Sequence, residues 1–72
     1  MLKTTSDLKD IIRLGGGVNV DASLRTTNDL KDLARLAANT STTLTLRNAD
    51  SKTTNDLKGI ARLAPGKVIF EV

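Results

Sequence analysis

A twelve-residue segment that occurs three times constrains this chain more than any other feature of its sequence. The copies span residues 3–14, 25–36 and 52–63, and they read KTTSDLKDIIRL, RTTNDLKDLARL and KTTNDLKGIARL. The third copy agrees with each of the others at nine of twelve positions, and the first and second agree at eight. Such agreement indicates internal duplication, so the sequence predicts a single domain, 1–72, of three repeats. The repeats run over about 3–22, 25–48 and 52–72.

Each copy of the segment is predicted to form an amphipathic helix. A threonine stands three residues before an aspartate at the start of each copy, a spacing typical of a capping box at a helix N-terminus. In the second copy, Thr26 precedes Asp29, and apolar side chains follow at Leu30, Leu33 and Ala34. Apolar residues at this spacing form one stripe along a helix, which must pack against another element.

The repeats differ in length, because successive copies start 22 and then 27 residues apart. The five extra residues are expected in a loop at 37–43. Asn39 is predicted to end the second helix in a left-handed conformation, as glycine or asparagine often does at a helix C-terminus.

A short alternating segment follows each helix and is predicted to form a strand. The segments span residues 18–21, 43–46 and 67–72, and β-branched and other apolar residues alternate there with mostly polar ones. The polar positions indicate that only one face of the sheet is covered. The side chains expected to face the core are Val18, Val20, Leu44, Leu46, Val68, Phe70 and Val72.

This order of elements predicts an α/β fold. Strands joined through helices are parallel, and such crossovers are right-handed in nearly all proteins. If every repeat makes the same step, the three-stranded sheet has the order 1-2-3 and all three helices lie on one face. The expected architecture is a short right-handed solenoid. Leu30 and Leu33, in its central helix, should be the most buried side chains.

In architecture the chain resembles the leucine-rich-repeat family. The resemblance is carried by the run Leu44-x-Leu46-x-Asn48 and by the apolar positions of the helix that follows, Leu57, Ile60 and Leu63. The repeat lengths also fall within the range of that family. The family pattern is L-x-L-x-x-N, so Asn48 comes one residue early. The resemblance implies that the outward face of the strands is a concave binding surface.

The composition excludes most catalytic and metal chemistry. The chain has no His and no Cys, so it has no imidazole base, no thiolate and no disulfide. The glycines at 15–17 follow a helix, whereas a phosphate-binding loop precedes one. We therefore predict a protein that is not an enzyme, with no catalytic, cofactor-binding or metal-binding residues. No apolar run approaches the roughly 20 residues of a membrane span, so we expect no membrane association and a cytoplasmic location.

Basic residues form two columns along the predicted helices. The net charge is only +3, and Asp10 and Asp32 are interleaved with the basic side chains. This pattern favours local ion pairs on a solvated face and argues against nucleic acid as the main partner. Nucleic-acid binding through the columns is kept as an alternative function. The columns consist of Lys9, Lys31 and Lys58, and of Arg13, Arg35 and Arg62.

A repetitive fold without catalytic groups predicts a protein-interaction or scaffold module. Its partner would bind the outward side of the strands. A third possibility is a structural protein that assembles with copies of itself. The candidate partner-binding residues are Asn19, Asp21, Thr43, Thr45, Arg47, Ile69 and Glu71.

The third strand is the most apolar of the three, and it would lie at an edge of the sheet. An uncovered apolar edge is a template for pairing with another chain. We predict a homodimer in which Val68, Phe70 and Val72 of two copies meet and the third strands pair antiparallel about a two-fold axis. The near-identical repeats leave open whether the chain is a complete natural protein, a fragment or a design.

Overall fold

In the computed structural model, residues 4–72 form three helices that alternate with three strands. The helices are α1 (Thr5–Arg13), α2 (Thr27–Thr40) and α3 (Thr54–Leu63), and the strands are β1 (Val18–Asp21), β2 (Leu44–Arg47) and β3 (Val68–Phe70). A short 3-10 turn follows each of the first two strands, at Ala22–Leu24 and Ala49–Ser51. Lys3, which begins the first repeat, lies outside the described residues. This order confirms the predicted α/β class.

A threonine hydroxyl starts each helix, as the repeated segment predicts. Oγ1 of Thr4, Thr26 and Thr53 accepts a hydrogen bond from the backbone N–H three residues later, at 3.1, 3.2 and 3.2 Å. Each cap satisfies one of the N–H groups that the start of a helix leaves without an intrahelical partner. The repeated Thr-x-x-Asp spacing therefore fixes where all three helices begin.

The strands form one parallel sheet in the order β1-β2-β3, which confirms the predicted topology. Val18 pairs with Leu44, and Leu44 pairs with Val68. Since side chains alternate between the two faces of a strand, every second position points toward the helices. Accordingly Leu44 and Leu46 are fully buried, whereas Arg47, the last residue of β2, is exposed.

The helices lie side by side in one layer, with α2 in contact with both α1 and α3. Leu30 and Leu33 of α2 are fully buried, together with Ile60 of α3 and the two leucines of β2. The predicted burial of Leu30 and Leu33 is confirmed, and Ile60 is buried to the same degree. The sheet face opposite this layer stays exposed to solvent along the described strands.

The loop predicted at 37–43 is wrong, because most of it is helical. The helix α2 continues to Thr40, and Ser41 rather than Asn39 takes the left-handed conformation, with φ of 57°. Ala37 is fully buried in this added turn. Continuation of the apolar stripe into residue 37 therefore favours a longer helix over a loop.

One of the five extra residues lies elsewhere in the repeat. Four precede β2, and the fifth is Asn48, which follows it. Asn48 has φ of 54° and stands between β2 and the buried Ala49, whereas in the first repeat the buried Ala22 follows β1 directly. Asparagine tolerates the left-handed region better than most residues. It therefore absorbs the insertion and still lets Ala49 reach the core.

The second and third strands differ from the prediction at both of their ends. The second spans Leu44–Arg47 instead of 43–46, so Thr43 precedes it, and the third spans Val68–Phe70 instead of 67–72. The backbone of Glu71 still bonds β2, through its N–H to the Leu46 carbonyl at 3.0 Å. Beyond that point β2 has turned away into the 3-10 turn. Val72 therefore does not face the core, and 83% of it is exposed.

Candidate interaction surface

The uncovered face of the sheet carries two rows of outward-pointing side chains, and each row runs across the strands from β1 to β3. The register places Asn19 level with Thr45 and Thr45 level with Ile69. In the same way Asp21 is level with Arg47. We call this surface the open face, and it consists of Asn19, Asp21, Thr45, Arg47, Ile69 and Glu71.

Arg47 lies at the centre of the second row and bonds toward β1. Its Nε donates a hydrogen bond to Oδ1 of Asn19 at 2.8 Å. This bond directs the guanidinium toward the β1 half of the face. The Ser23 side chain is the main cause of the lowered pKa of Asp21, and the positive charge of Arg47 is a smaller one. Glu71 and Ile69, on the β3 half, are exposed, and 52% of Ile69 is accessible.

Asp21 ends β1 and caps the turn that follows. Its Oδ1 accepts hydrogen bonds from the backbone N–H of Ser23 at 2.9 Å and from the hydroxyl of the same residue. The Ser23 side chain is the main cause of the lowered pKa of Asp21, and the side chain of Asn48 is the next. The carboxylate thus bonds the turn that follows β1 and lies near the residue that follows β2, a proximity that the linear sequence does not reveal.

The lowered pKa of Asp21 predicts a pH-dependent contribution to stability. A carboxyl group whose folded-state pKa lies below its ordinary value of 3.8 stabilises the fold at pH values above 3.8. That contribution is lost as the pH falls through the folded-state pKa. Asp21→Asn should therefore lower the free energy of unfolding at pH 6 and have less effect near pH 2. Urea denaturation at the two pH values measures this, with the exposed Asp50→Asn as a control. An equal effect of Asp21→Asn at both pH values would contradict the prediction.

Among the predicted partner-binding residues, Thr43 is the one that falls outside the paired strands and the open face. It is exposed but precedes β2. Its carbonyl oxygen lies close to Gly17, at 3.0 Å from the position that a Cβ there would take.

The structure separates the three predicted edge residues into two groups. Val68 and Phe70 are half-buried against the core, whereas Val72 lies beyond β3.

The basic columns lie on the helices, and three of their six residues are in ion pairs. Arg13 pairs with Asp10 at 3.1 Å, and Arg35 pairs with Asp32 at 2.8 Å. Lys9 of α1 reaches Asp32 of α2 at 3.6 Å. A shallow cavity of about 270 Å³ between α1 and α2 is lined by Lys9, Arg13, Asp32, Arg35 and Leu36. The predicted local pairing is confirmed for Arg13 and Arg35, whereas the pair between Lys9 and the neighbouring helix was not predicted. Lys31, Lys58 and Arg62 form no ion pair with the described residues.

Neighbouring repeats are joined at their helix N-termini by contacts that the sequence analysis missed. The hydroxyl of Thr5 donates to Asp29 Oδ2 at 3.5 Å, and the hydroxyl of Thr27 donates to Asp56 Oδ2 at 3.3 Å. Asp29 and Asp56 therefore each accept a hydrogen bond from the preceding helix and also lie in the first turn of the helix to which they belong. The signal was present, since the second threonine of the repeated segment is invariant among the three copies.

Gly59 occupies the position of Asp32 in the next helix. A Cβ built at Gly59 would lie 3.3 Å from Cε of Lys31. Lys31 thus extends along α3 and meets no carboxylate there, whereas the equivalent Lys9 of α1 meets the carboxylate of Asp32 on α2. The second contact between helices lacks the ion pair that the first one has.

Residues 4–72 contain no helix long and apolar enough to cross a membrane. The same residues bring together no group of three acidic, His or Cys side chains that could hold a metal ion. Comparison of the chain with protein-family models, with curated proteins and with solved structures gives no match.

Proposed function

We propose that this chain is a non-enzymatic protein-interaction module whose partner binds the open face of the sheet. The observation that carries the proposal is the exposed Ile69 on a face that is otherwise polar. An apolar side chain surrounded by hydrogen-bonding groups is a common centre of a protein–protein contact. The expected partner presents an apolar side chain to Ile69 and a hydrogen-bond acceptor to Arg47.

Arg47 supplies the directional part of this contact. Its guanidinium is held by the hydrogen bond to Asn19, so little side-chain freedom is lost when a partner binds. Arginine is also among the residues most often found to dominate binding energy. Arg47 and Ile69 together would therefore define the orientation of the partner on the sheet.

The experiment first identifies the partner and then measures its affinity. A photo-reactive amino acid is placed at Ile69 or, as a matched position on the helical face, at Arg62. Proteins cross-linked from Ile69 but not from Arg62 are purified and titrated against the chain. We expect Arg47→Ala to weaken binding at least about 10-fold, in the range of an interface hot spot.

The control is Arg62→Ala, which removes the same charge from an exposed position of α3. It should leave the affinity within about two-fold of the unmodified chain. Equal affinities of Arg47→Ala and the unmodified chain for that partner would overturn the proposal. Cross-links obtained only from Arg62 would do the same and would favour the helical face.

Nucleic-acid binding through the basic columns is the second candidate, and the cavity lined by Lys9, Arg13 and Arg35 is the observation that favours it. The pairing of these side chains with Asp10 and Asp32 counts against it, because a phosphate would have to displace the carboxylates. A salt titration separates the two functions, since each phosphate contact steepens the dependence of affinity on salt.

A further inference from the structure

The two ends of the repeat stack expose complementary surfaces. Four apolar positions of the repeated segment show this, because each is occupied by equivalent residues in the three repeats. We call the exposed side of α1 and β1 the head and the exposed side of α3 and β3 the tail. Their complementarity follows from comparing the burial of these equivalent residues.

Positions that face a preceding repeat are uncovered only at the head. Ile11 is 39% exposed, whereas its counterparts Leu33 and Ile60 are fully buried. Leu14 is 89% exposed, whereas Leu36 and Leu63 are half-buried against the core. The head therefore carries two apolar side chains that the second and third repeats bury against a neighbour.

Positions that face a following repeat are uncovered only at the tail. Leu8 and Leu30 are buried in α1 and α2, but Leu57 in α3 is only partly buried. Likewise Ile12 and Ala34 are buried, whereas Ala61 is partly exposed. The tail thus lacks the neighbouring helix that covers the same positions elsewhere in the stack.

The polar groups of the two ends match in the same sense. Thr54 corresponds to Thr5 and Thr27, which each donate to the aspartate of the next helix. Lys58 corresponds to Lys9, which pairs with Asp32 of the next helix. At the head, Asp7 and Asp10 occupy the positions of the aspartates that accept these contacts. A tail placed against a head would therefore join Thr54 to Asp7 and Lys58 to Asp10.

The sheet edges also fit this arrangement. The strand β1 is free on one side and β3 is free on the other. The step that places Val68 beside Leu44 would place Val18 of a second copy beside Val68. The new strand pair is parallel, like the pairs inside the chain, and it continues the sheet with its open face on the same side.

We propose that copies of this chain stack head to tail, so that the tail of one copy binds the head of the next. The contact is heterologous, and every added copy leaves one free end to which a further copy can bind. Such an interface produces open chains of copies unless the rotation between them closes a ring. This inference rests on the two ends and is independent of the partner proposed for the open face.

The antiparallel homodimer predicted from the sequence uses the tail of both copies instead. It would leave Ile11 and Leu14 of each copy exposed. It would also give Thr54 and Lys58 no aspartate of the kind found inside the stack, because Asp56 is already bonded by Thr27 and Gly59 replaces the second carboxylate. Head-to-tail stacking satisfies more of the exposed groups, so we favour it over the homodimer.

One contact opposes the stacking. Along the open face, the continued register would place Glu71 beside Asp21 of the next copy, and like charges on adjacent strands are unfavourable. Glu71→Gln removes this repulsion without touching the helices. This variant should assemble at a lower concentration than the unmodified chain.

Two blocked variants distinguish the arrangements. Ile11→Lys with Leu14→Lys blocks the head, and Ala61→Lys blocks the tail. Under head-to-tail stacking each blocked variant is a monomer alone, and an equimolar mixture forms a heterodimer. Pairing of two tails predicts a dimer for the head-blocked variant alone and no heterodimer in the mixture. Sedimentation velocity between 10 µM and 1 mM, about the range where weak assemblies form, measures the outcome.

The control is Arg47→Ala, at a position that lies on the open face but in the central strand, away from both ends of the stack. It should assemble like the unmodified chain while binding the partner proposed above more weakly, so the two proposals fail separately. Circular dichroism establishes that each variant is folded, and Leu14→Lys alone serves if the double substitution unfolds the chain. An unmodified chain that is folded and still monomeric at 1 mM would overturn the proposal, because association with a Kd of about 1 mM or tighter would be detected at that concentration.

Discussion

Replacement of Leu30 by alanine is expected to lower the free energy of unfolding by about 2–5 kcal/mol, the range observed for buried leucines. A domain of this length has a total stability of roughly 4–11 kcal/mol, so the loss is a large part of it. Leu30 is fully buried, because α1, α3 and the sheet surround the helix that carries it. Urea denaturation followed by circular dichroism measures the change.

The matched control is Leu57→Ala, at the equivalent position of α3. Leu57 is only partly buried, so the same deletion should cost about 1–2 kcal/mol because less apolar area returns to water. Leu8→Ala in α1 should fall at or below the cost of Leu30→Ala. A clearly greater cost for Leu57→Ala or Leu8→Ala would mean that the central helix is not the centre of the core.

The fold was predictable from the sequence where local chemistry decides it. The threonine caps depend on residues three apart, and the strand alternation depends on residues two apart. Because each repeat connects its strand to the next in the same way, the repetition also predicts the strand order. What the sequence did not predict depends on contacts between distant residues. The added turn of α2 is one case, because the burial of Ala37 is a property of the assembled layer.

The open face was predictable only in part for the same reason. Alternation indicates which side chains point outward, but the hydrogen bond from Arg47 to Asn19 depends on the register between β1 and β2. The register could not be counted along the chain, because four additional residues precede β2 and not β1. The proximity of Asn48 to Asp21 was hidden because Asn48 is itself an inserted residue.

The area of the open face links the two proposals. Three strands of about four residues cover roughly 200 Å² at ordinary strand spacing. A typical stable interface uses about 800 Å² per partner, so one copy offers a small binding surface. Stacking of copies would extend the same face by three strands each time. A partner that spans several copies would then bind through repeated weak contacts, whose combined affinity exceeds that of each.

Replacement of Ile60 by alanine is the second substitution with a large expected effect, again about 2–5 kcal/mol. Ile60 is fully buried between α2 and α3, whereas the equivalent Ile11 of α1 is 39% exposed. Ile11→Ala should therefore cost less than about 1.5 kcal/mol in dilute solution, where the head is free. Thermal or urea denaturation at low micromolar concentration compares the two variants.

The comparison becomes more informative when the protein concentration is raised. Any interaction made only by the folded chain stabilises it increasingly with concentration. If heads bind tails, the unmodified chain gains stability at high concentration. Ile11→Ala should lose part of that gain, because its smaller side chain buries less area against Leu57 and Ala61 of the preceding copy. The cost of Ile60→Ala should change little, because Ile60 is buried within a single copy. A cost of Ile11→Ala that is independent of concentration would show that the head binds no second copy.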